Sequence, residues 1–404
     1  MRLDHDKIVI CFGEPTALMW IRILLMTITL SEFDRILFFA AHPDDEGLAA
    51  AGLLRRAALL GARVHLVFAT NGDNNVWAQR WVERRWQVAE SDRLRWGELR
   101  KREVRAAMEV MGLKRQASLR FLNFPDQAMT SFLRKAPARL SAILREEIDR
   151  FKPTLIIAPA LYDAHPDHSA LSVAIALAVE RSDRPATRCY YYIIHRPRRM
   201  PESVIRELRL TDGEQHRKRN AIDCYRSQLH LFPKRFTRFA QPTEIYYESD
   251  PPETVATRYG FVTSRTMRDL NLEIAAPLLL RRAREILFVF SPGDADPITW
   301  RINLGCRRKP LVLEDAGTGA FLRQIVGREE SRRLQISLPS ALLPDSRTAY
   351  LKINARTLFF DRFGWFKIAL PDRKDFDSAA QRREISSEVK QRSVSETPLD
   401  PEAL

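Results

Sequence analysis

Two short stretches combine histidine, aspartate and proline in a way that can hold a metal ion and activate water. One is Ala41-His42-Pro43-Asp44-Asp45-Glu46 and the other is Ala164-His165-Pro166-Asp167-His168. A catalytic zinc takes three protein ligands from His, Asp and Glu and keeps one position open. His42, Asp45 and His168 supply such a set: the first two lie three residues apart in one turn and can close on a single ion, and the third arrives from a distant strand end. Zinc lowers the pKa of water to about 7 and polarises a carbonyl oxygen. Hydrolysis of an unreactive amide also needs a base and an acid. Asp44 suits that role, taking the water proton and later delivering one to the leaving amine. His165 suits an electrophile for the oxyanion, and Asp167 can hold a histidine in its working tautomer. A lone His-Pro-Asp is more often a capped turn than a site. Two such clusters in one context favour a metal, and iron fits the same ligands as zinc.

Both clusters leave an apolar run and enter a helical pattern. Arg35 to Ala40 reads as a buried strand before the first cluster, and Thr154 to Ala160 as one before the second, with the helix Ser169 to Glu180 after it. In open α/β sheets ligands bind at the carboxyl ends of strands. Further strands are expected at Arg63 to Thr70, Leu119 to Phe124 and Arg188 to Ile194, and further helices at about Gln79 to Met111, Pro137 to Phe151 and His216 to Leu229. Alternating strands and helices predict an α/β fold, a doubly wound, mostly parallel, Rossmann-like sheet. The tryptophans Trp77, Trp81, Trp86 and Trp96 read as packing the long helix onto that sheet. His65 reads as a packed core residue, and His195 as lying outside the pocket.

After about Leu272 short strand-like runs (Ile286 to Phe290, Pro310 to Leu313, Leu334 to Leu338, Tyr350 to Ile353) alternate with turns, which predicts a smaller C-terminal β-rich module, a small antiparallel sandwich without a catalytic cluster. The expected organisation is an N-terminal extension at 1–32, a catalytic domain at 33–250, the β-rich accessory module at 265–372 and a disordered tail at 373–404. Deletion after about Pro251 is expected to leave the metal site intact.

The chain has 404 residues, 65 Lys+Arg against 51 Asp+Glu and a net charge of +14. That excess suits an anionic partner, a lipid-linked substrate or an anionic membrane surface; no nucleic-acid fold signature accompanies it, so no nucleic-acid partner is expected. Cys11, Cys189, Cys224 and Cys306 lie far apart and read as reduced thiols of a cytoplasmic protein. The apolar run Ala17 to Leu30 is shorter than the roughly 20 residues of a membrane span. It reads as a membrane-surface helix, or as sequence preceding a true start at Met19 or Met26. Peripheral membrane contact follows from the first alternative.

The paired histidine clusters resemble the PIG-L/LmbE-like de-N-acetylase family of zinc enzymes, which remove acetyl groups from N-acetylglucosamine-type sugars. Thr70-x-Gly72-Asp73, Arg100-x-x-Glu103, Phe124-Pro125-Asp126 and Tyr225-Arg226-Ser227-Gln228 support the resemblance, which spans about residues 33–249. It implies that His42, Asp45 and His168 hold Zn(2+), that Asp44 is the general base on the water zinc activates, that His165 stabilises the oxyanion, and that Arg100 and Asp126 face the sugar. The expected substrate is an amino-sugar glycoconjugate, anionic or lipid-linked. The rival readings are a zinc amidase on a non-sugar amide and a non-catalytic glycan-binding protein. Asp44 and His165 beside a full ligand set argue against the second, since a binder needs neither.

Overall fold

The computed structural model describes residues 25–183, 187–197, 204–231, 233–248, 261–265, 269–274, 283–293, 295–304, 310–330, 333–346, 348–355, 360–361 and 364–370. The readings made on the segment before Leu25, on Cys11 and Cys306 and on the tail 373–404 fall outside the described residues.

Eight strands form one mixed sheet: β1 (Leu25–Thr27), β2 (Arg35–Ala40), β3 (Arg63–Thr70), β4 (Ala117–Phe124), β5 (Leu155–Pro159), β6 (Arg188–Tyr192), β7 (Ile205–Arg209) and β8 (Thr243–Tyr247). Their order is β1-β7-β8-β6-β5-β2-β3-β4. The stretch from β4 to β6 is parallel throughout, and β8 is antiparallel to both β6 and β7. From β2 the chain steps outward to β3 and β4, then returns to β5 on the other side of β2. The carboxyl ends of β2 and β5 therefore flank the point where the winding reverses, which in such sheets is where ligands bind.

Ten helices accompany this sheet: α1 (Asp45–Ala49), α2 (Ala51–Leu59), α3 (Val76–Glu83), α4 (Glu90–Val110), α5 (Met129–Lys135), α6 (Pro137–Phe151), α7 (Pro166–Glu180), α8 (Asp212–Ile222), α9 (Arg226–Leu229) and α10 (Pro233–Thr237). Alternation along β2 sends Ile36, Phe38 and Ala40 to one face, where they meet apolar residues of α2, α4 and α8. Leu37 and Phe39 point to the other face and meet α5, α6 and α7. Burial on both faces explains why these strands read as unbroken apolar runs. His65 is a core residue, its ring held by Ser118 Oγ at 2.7 Å and Glu147 Oε2 at 3.2 Å.

Two long helices expected from the sequence are each broken. The Gln79 to Met111 segment divides into α3 and α4, because Arg84 takes a left-handed conformation (φ 53°) that ends α3, and Asp92 caps the start of α4 by accepting from Ala89 N at 3.0 Å. The His216 to Leu229 segment divides into α8 and α9 around Asp223-Cys224-Tyr225. The tryptophan reading is corrected as well. Trp96 is fully buried, but Trp77, Trp81 and Trp86 are 58%, 65% and 79% exposed. The buried residues of α3 are Ala78 and Gln79, so Trp77 and Trp81, one helical turn apart, lie away from that face.

The second sheet is antiparallel and has nine strands: β9 (Phe261–Arg265), β10 (Asp269–Ile274), β11 (Ala283–Phe290), β12 (Ile298–Asn303), β13 (Leu311–Asp315), β14 (Phe321–Glu330), β15 (Arg333–Pro339), β16 (Thr348–Ala355) and β17 (Phe366–Ala369), in the order β17-β16-β11-β12-β13-β14-β15-β10-β9. Ile286, Phe288 and Phe290 of β11 join one apolar core of this sheet. The alternate residues Leu287 and Val289, with Tyr350 and Trp365, join instead the cluster that lines α5, α6 and α7. Polar contacts cross the same seam, with Thr299 Oγ1 donating to Leu133 O at 2.9 Å and Trp365 N to Leu161 O at 3.0 Å. One core thus crosses the boundary drawn from the sequence between residues 33–250 and 265–372.

Candidate metal and catalytic site

The carboxyl ends of five parallel strands converge. His42 follows β2, Gly72 follows β3, Asp126 follows β4, Asp163 and His165 follow β5, and His195 follows β6. His42 Nδ1 faces His168 Nε2 across 3.1 Å. The remaining nitrogen of each ring meets carboxylates: His42 Nε2 lies 3.0 Å from Asp126 Oδ1 and 3.3 Å from Asp167 Oδ2, and His168 Nδ1 lies 3.3 Å from Asp163 Oδ2. Carboxylates at those positions draw the ring N–H outward and leave two lone pairs facing each other, an arrangement that a cation between them stabilises.

Asp45 completes the set. Its Oδ2 accepts from Ala41 N at 2.8 Å, His42 N at 3.1 Å and Tyr192 Oη at 3.0 Å, while its Oδ1 stands 3.5 Å from His168 Nε2. Bonds of about 2.0–2.2 Å in a tetrahedral zinc site put neighbouring donors about 3.3–3.5 Å apart, which the 3.1 and 3.5 Å separations approach. The donor chemistry and spacing therefore fit a divalent metal. Among the described residues, the groups whose donor atoms all lie within 4.8 Å of one another are His42, His165 and His168; Asp163, His168 and His195; and His42, Asp126 and Asp167; the set of His42, Asp45 and His168 is not among them.

The local charge points the same way. Burial disfavours a proton on His42 and His168, yet the pKa of each is raised, that of His42 chiefly by Asp126 and that of His168 by Asp45 and Asp163. Burial opposes the ionised form of Asp126, but His42 and Arg100 outweigh it and hold the carboxyl at about 2. Asp163 is likewise held well below the usual carboxylate range, where burial is outweighed by His168 and His195. Excess negative charge that favours protons on facing imidazoles also favours a metal cation in their place.

Asp44 sits apart from this donor set, as the sequence suggested. Its backbone is in a strained region for a residue with a side chain (φ 136°, ψ −21°), the kind of conformation that persists where surrounding structure enforces it. Arg100 enforces it, donating to Asp44 Oδ2 at 2.6 Å and also to Pro43 O, and to Gly72 O at 3.3 Å. Gly72, at φ 60°, leaves room for that guanidinium, which any β-carbon there would strike. Burial raises the Asp44 carboxyl to about 6 against the pull of Arg100.

His165 caps α7, its Nδ1 accepting from Asp167 N at 3.2 Å. Nε2 is then the protonated nitrogen of the neutral ring and is free to donate. Burial, followed by the charges of His42 and His195, keeps this ring neutral by pulling its pKa well below 6.5. Asp167 accepts from Gln127 N at 2.6 Å and Met129 N at 3.1 Å as well as meeting His42.

Two residues of the cluster escaped the sequence reading. Asp163 accepts from His165 N, Ile194 N and His195 N and orients both His168 and His195. The signal available was an acid two residues before a His-Pro-Asp-His run at a strand end. The placement of His195 outside the pocket is corrected: its ring lies 5.1 Å from that of His165 and 5.0 Å from that of His168. Its strand neighbours β5 in parallel, so the two strand ends open side by side.

Residues 37–179 match the family described as GlcNAc-PI de-N-acetylase, PIG-L. This stretch is similar to that family. It contains every residue expected from the sequence to act at the site. A 1D-myo-inositol 2-acetamido-2-deoxy-alpha-D-glucopyranoside deacetylase of Nakamurella multipartita is 31% identical over 199 residues, covering 44% of this chain and 65% of that protein. The corresponding enzyme of Mycolicibacterium vanbaalenii is 29% identical over 184 residues, covering 40% of this chain and 60% of that protein. The chain thus spans somewhat under two thirds of these relatives. The crystal structure of the zinc-inhibited form of teicoplanin deacetylase Orf2 superposes with a TM-score of 0.43 at 16% identity, covering 54% of this chain and 99% of that one. Sheet strands β6 to β8 and the whole second sheet lie beyond the matched PIG-L residues.

Proposed function

We propose that this protein is a metal-dependent amide hydrolase that removes the N-acetyl group of an N-acetylglucosamine-type sugar. The observation that carries the reading is the pair of imidazole nitrogens of His42 and His168 facing each other at 3.1 Å, with Asp45 3.5 Å from the second. In it His42, Asp45 and His168 would hold zinc, which would supply a Lewis acid for the amide carbonyl and lower the pKa of water toward neutral. Asp44 takes a proton from the water as its oxygen bonds to the carbonyl carbon. His165 Nε2–H donates to the oxygen that gains negative charge. Asp44 then passes the proton to the amine nitrogen as the carbon–nitrogen bond breaks, leaving acetate and a free amino sugar. Asp126, Asp163 and Asp167 fix the tautomers of His42 and His168. Arg100 orients Asp44 and, with Asp126, borders the side on which the sugar lies. The names of the relatives support the sugar; the facing donors support the metal.

The finer readings rest on separate observations. Helices on both faces of the parallel strands support a doubly wound, Rossmann-like sheet. The divisions at 33–250 and 265–372 are kept as two sheets of one folding unit. Exposed Trp77, Trp81 and Trp86, beside exposed Arg84 and Arg85 and with Arg80 stacked 5.4 Å over Trp77, support a lipid-linked or anionic glycoconjugate and peripheral membrane contact. Among the described residues no helix is long and apolar enough to cross a membrane.

The deciding experiment measures acetate release by the zinc-loaded protein from N-acetylglucosamine conjugates, with Asp44→Asn alongside. Release that is lost in the variant is expected. No release from any conjugate by a protein holding one zinc favours the non-sugar amidase or the binding protein.

A further inference from the structure

One side chain of the second sheet reaches the candidate site. Phe360, between β16 and β17, places its ring 5.2 Å from that of His195 and 6.0 Å from that of His165, and the Arg235 guanidinium of α10 lies 5.5 Å from it. The ring is 38% exposed, while its neighbour Asp361 is buried. Asp361, beside it in the chain, and Trp365 are bonded to the turn that carries the second histidine cluster. Asp361 N donates to Ala164 O at 2.8 Å and Trp365 N to Leu161 O at 3.0 Å. Lys352, itself buried, pairs with the Asp361 carboxylate and donates to Gly364 O at 3.5 Å. Gly364, at φ 62°, approaches so closely that a β-carbon there would stand 2.7 Å from Leu161 O and from Tyr162 Cα. These contacts accompany a partly exposed aromatic ring beside His165.

We propose that Phe360 determines specificity by walling off the acyl side of the site and limiting the leaving acyl group to about the size of acetyl. The inference rests on the amide-hydrolase reading above. If His165 Nε2–H meets the amide oxygen, the two other substituents of the carbonyl carbon diverge at about 120°. The sugar nitrogen takes the side of Arg100 and Asp126, which belong to the β3 and β4 ends of the sheet. The acyl chain takes the side of β5 and β6, where His195 and then Phe360 stand. A rigid ring there rejects added methylenes by overpacking, an effect worth about 10–200-fold per methylene in apolar pockets.

The test compares wild type, Phe360→Ala and Phe360→Leu on N-acetyl-, N-propionyl-, N-butyryl- and N-hexanoylglucosamine, scored as kcat/KM for each relative to acetyl. Phe360→Ala is expected to raise the butyryl-to-acetyl ratio at least about tenfold, and Phe360→Leu to raise the propionyl-to-acetyl ratio measurably but by less, which keeps the test open if the alanine variant does not fold. Unchanged ratios with acetyl turnover retained would overturn the assignment. A wild type that releases no acid from any conjugate overturns the hydrolase reading instead. Thermal protection of the zinc-loaded proteins by acetate, propionate, butyrate and hexanoate then decides Phe360: a gain of the longer acids over acetate in the alanine variant supports it, and an identical series in both proteins overturns it.

Discussion

Arg100 holds Asp44 by a 2.6 Å charge-assisted hydrogen bond in a region where both side chains are almost fully buried. The pairing sets the acid limb of activity. Asp44 works as a base only when ionised, and burial places its carboxyl at about 6, so kcat/KM is expected to fall as pH drops through about 6. Arg100→Met removes the charge that favours ionisation and is expected to move that limb upward by about 1–3 units. A pH–rate profile on both proteins checks this; a limb that stays in place removes Asp44 from the role of base.

Asp163 orients two imidazoles, so its loss should loosen the metal before it loosens the fold. Asp163→Asn is expected to weaken zinc affinity about 10–100-fold, with a melting temperature near wild type in the zinc-loaded state. Competition with a chromophoric chelator reads the affinity. Retention of wild-type affinity would show that His168 keeps its orientation without the carboxylate.

Glu46 is fully buried, bonded to the Tyr225 hydroxyl, and pushed well above its usual pKa by burial and by Asp44. A carboxyl whose folded pKa is raised gives up stability as pH rises, beginning where the unfolded chain ionises near 4.5. Glu46→Gln removes that loss. The variant is expected to match wild type in melting temperature near pH 4 and to exceed it at pH 8. A wild type that gains stability over the same interval relative to the variant would mean that Glu46 is ionised in the folded protein.

Trp365 belongs to the second sheet yet is buried in the cluster that lines α5, α6 and α7. Trp365→Ala is expected to cost about 3–5 kcal/mol and to lower a single unfolding transition seen by calorimetry. Truncation after residue 250, which the sequence suggested would spare the metal site, is expected instead to yield protein that does not bind zinc, because it strips one wall from that cluster. A folded, zinc-binding fragment would establish two independent domains.

Much of the candidate site is legible because its chemistry is local. His42, Asp44 and Asp45 share one turn, His165, Asp167 and His168 share another, and each follows a strand whose unbroken apolar run marks burial on both faces. The run Ile286 to Phe290 carried the same mark in the second sheet, and it is buried on both faces because one face covers the helices of the first sheet. The lone residues were hidden. His195 and Phe360 have no motif around them, and their positions depend on which strands become neighbours and how two sheets pack. Trp77 and Trp81 misled because aromatic character suggests burial, whereas Ala78 and Gln79 form the inward face of α3.

The spread of these groups along the chain has a consequence for synthesis. All three donors expected to hold the metal are made by residue 168, whereas Phe360 emerges from the ribosome long afterwards. During that interval the donor set is complete in sequence, but the cluster that supports it lacks the wall supplied by Leu287, Val289, Tyr350 and Trp365 of the second sheet. Metal choice on this chain is therefore made late, and a pulse of cobalt or iron given during translation should be retained no more than the same pulse given to the finished protein.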